Sequence, residues 1–206
     1  MFALANACGS DRPDQPKAGV DDCPAERCVG LSEASSALHF DVLEPQRVPE
    51  GFQIYSRQMV GAGGGPPSSY QGQEAMPPGF DYSSIQLDYR FRDSLTVPGI
   101  ILIESAISAD GKPSLRLAGA DCGEEISRDG VTIFYLDGLG DLQGSPESGD
   151  WTICKSDAGP PRSLHSVYAL TGGGVLIEAM AFPESRVTRE DMISIIESLK
   201  AGEASD

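Results

Sequence analysis

The stretch Ile85-Gln86-Leu87-Asp88-Tyr89-Arg90-Phe91-Arg92 decides the fold, because apolar and polar side chains alternate along its whole length. A period of two puts Ile85, Leu87, Tyr89 and Phe91 on one face of an extended chain and their charged or amide neighbours on the other. That pattern belongs to a half-buried strand in an antiparallel sheet. Outward from it, residues 51–60, 100–107, 114–118, 131–136, 151–154, 164–170 and 175–182 read as further strands. Asp110-Gly111 and Asp129-Gly130 mark turns, and Thr171 to Gly174 closes a predicted hairpin between the last two strands. Residues 61–82, with Gly63 to Gly65 and two Pro-Pro pairs, read as a long, mobile Pro/Gly-rich loop.

Two helices complete the set. Ser32 caps a short predicted helix running through Glu33 and Ala34 to Leu38. Near the C-terminus, Thr188 is an N-cap, Asp191 can reach back to it, and Val187 with Met192 fits a hydrophobic staple. Met192, Ile195, Ile196 and Leu199 then form an apolar stripe with Ile193 at its flank. A stripe of that kind must be buried, and the sheet offers the apolar face. The expected class is therefore α+β: a curved antiparallel β-sheet with a C-terminal helix and a short N-terminal helix packed on one face.

The chain has 206 residues, with 15 Lys plus Arg against 31 Asp plus Glu, for a formal charge of −16. That balance argues against a nucleic-acid partner, whose phosphates require a basic surface. Residues 31–206 have the length of one domain of ordinary size. Residues 1–30 read as the remnant of a truncated lipoprotein signal followed by a disordered tether, because small residues lead into Cys8 and a polar, Pro/Gly-rich stretch follows it. Cys8 is then the lipidation site, and the partner it implies is a membrane, reached through a lipid anchor. Setting Cys8 aside leaves an even number of cysteines, which suits two disulfides in an oxidising compartment. Three connectivities are open; Cys23 with Cys28 and Cys122 with Cys154 is the pairing favoured. A zinc site is the weaker alternative, because Cys23 and Cys28 have no matching second pair.

Phe40 to Phe52 (FDVLEPQRVPEGF) and Thr188 to Leu199 (TREDMISIIESL) together resemble a bacterial domain of unknown function found in envelope lipoproteins and on the outer side of anti-sigma-factor proteins. The resemblance implies a half-barrel similar to LolA-like carrier and RseB-like regulator proteins. It supplies no catalytic residues.

Other motifs are weaker. Gly138 to Gly144 has glycines spaced unlike a phosphate loop and reads as a turn. Asp137, Asp141, Glu147 and Asp150 read as a solvated acidic loop, so no metal site or cofactor is expected. His39 and His165 are the only histidines, and no nucleophile elbow accompanies them. Glu104 and Glu178 interrupt apolar strands and are expected to face solvent or to pair with Arg90 or Arg116. Either one found inside a pocket becomes a ligand-contact candidate. The favoured function is a non-enzymatic extracytoplasmic lipoprotein domain that binds a hydrophobic ligand or a protein partner in envelope sensing, regulation or carriage. The alternatives are a small envelope hydrolase using His165 or His39 with nearby carboxylates, and a purely structural interaction module.

Overall fold

The computed structural model describes residues 23, 27–61, 82–96, 99–107, 113–128, 130–145, 148–156 and 165–201. Cys8 and the loop expected within 61–82 lie outside the described residues, apart from Gly61 and Tyr82, which end and begin strands. In chain order the elements are α1 (Leu31–Leu38), β1 (Leu43–Pro45), β2 (Phe52–Gly61), β3 (Tyr82–Phe91), β4 (Ile100–Ala106), β5 (Ser114–Leu117), β6 (Glu124–Arg128) and β7 (Val131–Asp137). There follow β8 (Gly140–Gly144), β9 (Asp150–Lys155), β10 (His165–Leu170), β11 (Val175–Ala181), α2 (Arg189–Glu197) and β12 (Leu199–Ala201).

Seven strands form the main sheet in the order β2-β3-β4-β11-β10-β7-β6, every pair antiparallel and the sheet open at both edges. The class is α+β, mostly antiparallel sheet with two helices. Ala34 and Leu38 of α1 and Met192, Ile193, Ile195 and Ile196 of α2 share one core with the sheet. That core takes Ile85, Leu87 and Tyr89 from β3, Leu102 from β4, Ile177 and Ala179 from β11, Val167 and Ala169 from β10, and Ile133 from β7. These residues recur at every second position, so both helices lie against the same face.

The opposite face of β7, β10 and β11 presents Phe134, Leu136, Tyr168 and Leu176 to a three-stranded sheet, β5-β9-β8, in which β5 and β9 run parallel. Ile153 is fully buried there, and the Trp151 indole N–H donates to the Ile107 carbonyl at 3.1 Å. The segment expected to be a turn, 138–144, instead makes strand β8 paired with β9. A side chain on Gly140 would lie 2.5 Å from the Tyr168 hydroxyl, so a glycine there lets strand and ring pack closely.

Residues 27–29 pack on β2 ahead of α1: Val29 is buried, its N–H donates to the Arg57 carbonyl, and the Arg57 N–H donates to the Arg27 carbonyl. Two further expectations are corrected. Helix α1 is preceded by Gly30, with Ser32 inside its first turn and no side-chain cap. The C-terminal helix carries the expected capping box, with the Asp191 N–H donating to Thr188 Oγ1 and the Thr188 N–H donating to Asp191 Oδ2, but it ends at Glu197. Leu199 belongs to β12, which pairs with β1 in a two-stranded ribbon.

A bulge between Ile54 and Ser56 inserts Tyr55 as an extra residue in β2. Before it Phe52 and Ile54 face the helices; after it Arg57 and Met59 do, opposite Leu87 and Ile85. The shift of phase carries a charged side chain into the helix-side core, where Arg57 retains only 6% exposure.

Candidate functional site

Strand β7 and the start of β10 bring Tyr135, Asp137 and His165 together at the helix-side surface, near the β6 edge of the main sheet. His165 stands opposite Asp137 in the ladder and Val167 opposite Tyr135. The Tyr135 hydroxyl lies 2.7 Å from His165 Nδ1, and Asp137 Oδ1 lies 3.9 Å from the same nitrogen. With the imidazole proton on Nε2, the phenol donates to Nδ1. Burial, and next the Asp137 charge, raise the Tyr135 phenol above its ordinary range, while Arg189 opposes them.

Beside this trio opens a recess of about 230 Å³ lined by Asp121, Cys122, Gly123, Glu124, Tyr135, Asp137 and Lys155. The Cys122–Cys154 disulfide ties its wall to β9. Arg189, in the first turn of α2, donates to Glu124 at 2.7 Å, and its guanidinium carbon sits 5.2 Å from the Tyr135 ring centroid. Three carboxylates, Asp121, Glu124 and Asp137, and one cation, Lys155, thus line an open hollow that also includes Tyr135, with Arg189 over the Tyr135 ring.

The arrangement offers charged and hydrogen-bonding groups that can recognise a partner. A hydrolytic triad needs a hydroxyl or thiol nucleophile beside the histidine. Here the neighbouring hydroxyl is a phenol held protonated, and the sulfur at the wall is locked in a disulfide. His39 stands apart: it is the exposed C-cap of α1, with φ of 61°, and is not part of this group. Among the described residues no group of three or more His, Cys, Asp or Glu side chains could hold a metal ion.

Both expected disulfides form, Cys23 with Cys28 and Cys122 with Cys154. The two strand glutamates depart from expectation. Neither Arg90 nor Arg116 pairs with them: Arg90 donates to Asp88 Oδ2 at 2.8 Å, and Arg116 is exposed. Glu178, on the face away from the helices, accepts the Tyr168 hydroxyl at 3.0 Å; burial raises its pKa and the Tyr168 bond partly offsets that. Glu104 is fully buried on the helix side, with Oε2 and Oε1 at 2.9 and 3.2 Å from the Leu43 N–H.

Glu104 occupies an unusual place. Read across the sheet in register, Met59, Ile85, Glu104, Ile177, Ala169, Ile133 and Ile126 form one row, each member buried and Glu104 the only one that is polar. Glu44 of β1 and Arg57 of β2 lie close by, with Arg57 Nε 3.4 Å from Glu44 Oε1. Burial drives the Glu104 carboxyl up to about 8, the Leu43 bond opposing and the Glu44 charge reinforcing the shift. Sequence reasoning missed this cluster; the proline-bounded strand β1 and the bulge in β2, which assemble it, carry only faint local signals.

No family model, curated protein or solved structure matches the chain.

Proposed function

We propose that the chain is an extracytoplasmic, non-enzymatic binding domain that engages a protein partner in envelope sensing or regulation, held at a membrane by lipid on Cys8. The observation that carries the choice of partner is the filled helix side of the sheet. Met59, Ile85, Leu87, Leu102, Ile133, Val167, Met192 and Ile193 all have no exposed surface, so the face that a half-barrel carrier would keep open for an acyl chain is occupied by the protein's own side chains. The other face of β7, β10 and β11 is taken by the small sheet. Charged groups at Asp121, Glu124, Asp137 and Lys155 ring the recess at Tyr135 while most of its exposed lining is apolar, a mixture that suits a protein surface.

Two disulfides favour an oxidising compartment. No helix among the described residues is long and apolar enough to cross a membrane, and attachment through Cys8 does not need one. We read the main sheet as a half-barrel of LolA-like or RseB-like type, a reading supported by its unclosed strand order and by helices gathered on one face. The pairing of His165 with a phenol favours binding over hydrolysis.

The experiment uses full-length protein isolated from its native envelope. Mass spectrometry is expected to find acyl chains on Cys8, and titration with a fluorescent fatty acid is expected to show no saturable binding. A photo-crosslinking residue at position 121 should give one discrete protein adduct. Stoichiometric co-purifying lipid, or a chain recovered unacylated with reduced thiols, overturns the proposal.

A further inference from the structure

The buried cluster beneath the β1–β12 ribbon has more acids than bases. Glu44 comes from β1, Arg57 from β2, Tyr89 from β3 and Glu104 from β4, and all four are less than a tenth exposed. Among the described residues the one other buried charge is Asp88, on the opposite face of β3 and paired with Arg90, while Arg27, beside Arg57, stacks on the Tyr55 ring; α1 contributes Ala34 and Leu38 to the core, α2 contributes Met192, Ile193, Ile195 and Ile196, and β11 contributes Ile177 and Ala179. Lys200 of β12 stands opposite Glu44 in the ribbon, but it is exposed. With Glu44 matched by Arg57, ionising Glu104 would leave one net negative charge inside an apolar core.

Glu104 also ties the ribbon to the sheet face, since its carboxyl accepts the Leu43 N–H, alongside the tie between Glu44 of β1 and Arg57 of β2. The ribbon in turn holds the end of the described chain, through Leu43 opposite Ala201, Pro45 opposite Leu199, and the Arg47 N–H donating to Ser198 Oγ at 3.2 Å. We propose that Glu104 is a proton-dependent latch: the β1–β12 ribbon is seated while Glu104 is protonated and is released when alkaline conditions ionise it.

The physical reason is a contest between two terms. A charge on Glu104 strengthens its bond to Leu43, but a charged carboxylate in a dry core beside Glu44 is far costlier than one hydrogen bond can offset. The structure relieves that cost by letting water reach the carboxylate. The cheapest route is to lift β1, a three-residue strand paired on only one side, because the alternative is to part the central strands β3, β4 and β11. Burial places the Glu104 transition near pH 8, so the latch works within a range that an extracytoplasmic protein can meet.

The test is amide hydrogen exchange on the full chain from pH 6 to 9.5, corrected for the intrinsic rate. Protection of residues 43–47 and 198–201 is expected to fall at least tenfold across pH 8, while protection of β3, β4 and β11 holds. In Glu104→Gln the ribbon should stay protected throughout, whereas Glu178→Gln, altered on the opposite face, should retain the wild-type fall. Should Glu104→Gln not fold, carboxyl carbon NMR on wild type replaces it: the Glu104 midpoint must coincide with the loss of Leu43 protection. Flat ribbon protection in wild type, a fall that persists in Glu104→Gln, or midpoints more than one pH unit apart each overturn the latch.

Discussion

Removing the Cys122–Cys154 bridge by the double substitution Cys122→Ala and Cys154→Ala is expected to destabilise the folded state by roughly 3 to 4 kcal/mol. The two cysteines are 32 residues apart in sequence. On the chain-entropy relation, a loop of that length restricts the unfolded ensemble by about 12 cal/mol/K, or ~3.7 kcal/mol at 25 °C. A second contribution comes from the folded side. Cys122 is buried, and the turn it ends, in which its N–H donates to the Gly119 carbonyl, connects β5 to β6 and so joins the small sheet to the main one. Alanine leaves a gap of two sulfur atoms at that junction. For a domain of this size each kcal/mol moves the midpoint by about 2 to 4 °C, which gives a fall in Tm of roughly 7 to 15 °C. Differential scanning calorimetry of wild type and double variant, both without reductant, measures it. Because Cys23 and Cys28 are intact in both proteins, the difference isolates one bridge. A fall of less than about 2 °C would mean that the unfolded chain gains no freedom from the cut, and would refute the reasoning.

Three other outcomes are expected. Glu104→Gln should flatten the dependence of stability on pH: the unfolded carboxyl loses its proton near 4.5 and the folded one near 8, so wild type loses stability as pH rises between those values, by at most about 1.4 kcal/mol per pH unit. Urea midpoints from pH 5 to 9 check this, and a variant whose profile parallels wild type contradicts it. Gly140→Ala should cost roughly 1 to 3 kcal/mol, because the added carbon meets the buried Tyr168 ring and would break its hydroxyl's bonds to the Gly140 carbonyl and Glu178; urea unfolding of the variant reports it. Thr188→Ala removes one half of the capping box and should cost about 1 kcal/mol in the same assay, with Thr188→Ser near neutral.

The parts of the fold legible in the sequence are those whose burial is one-sided. Strand β3 alternates because one face meets the helices and the other does not, and α2 announces itself through Thr188, Asp191 and a stripe of isoleucines. Strand β4 has apolar residues on both faces, Leu102 on one and Ile101 and Ile103 on the other, so periodicity could not say which way Glu104 points. Strand β6 buries Ile126 among four polar neighbours, and β8 is a glycine-bounded strand of three side chains; both resemble loops when read alone. The meeting of Tyr135 with His165 depends on the register of two strands separated by 30 residues, a quantity no local pattern specifies. Cysteine pairing is legible only in part: an even remainder suits two disulfides, but three connectivities stay open, because the approach of Cys122 in the β5–β6 turn to Cys154 on β9 depends on the tertiary fold.

The place where the chain joins the sheet has a geometric corollary. Cys28 bridges to Arg57 on β2, the outermost strand at one edge, whereas the hollow beside Tyr135 and Glu124 lies on β7 and β6 at the far edge. Five strand spacings, about 24 Å, separate β2 from β7. If Cys8 carries the proposed lipid, the attachment enters the described fold at the rim away from the charged hollow, so the hollow is not the surface that the point of entry covers.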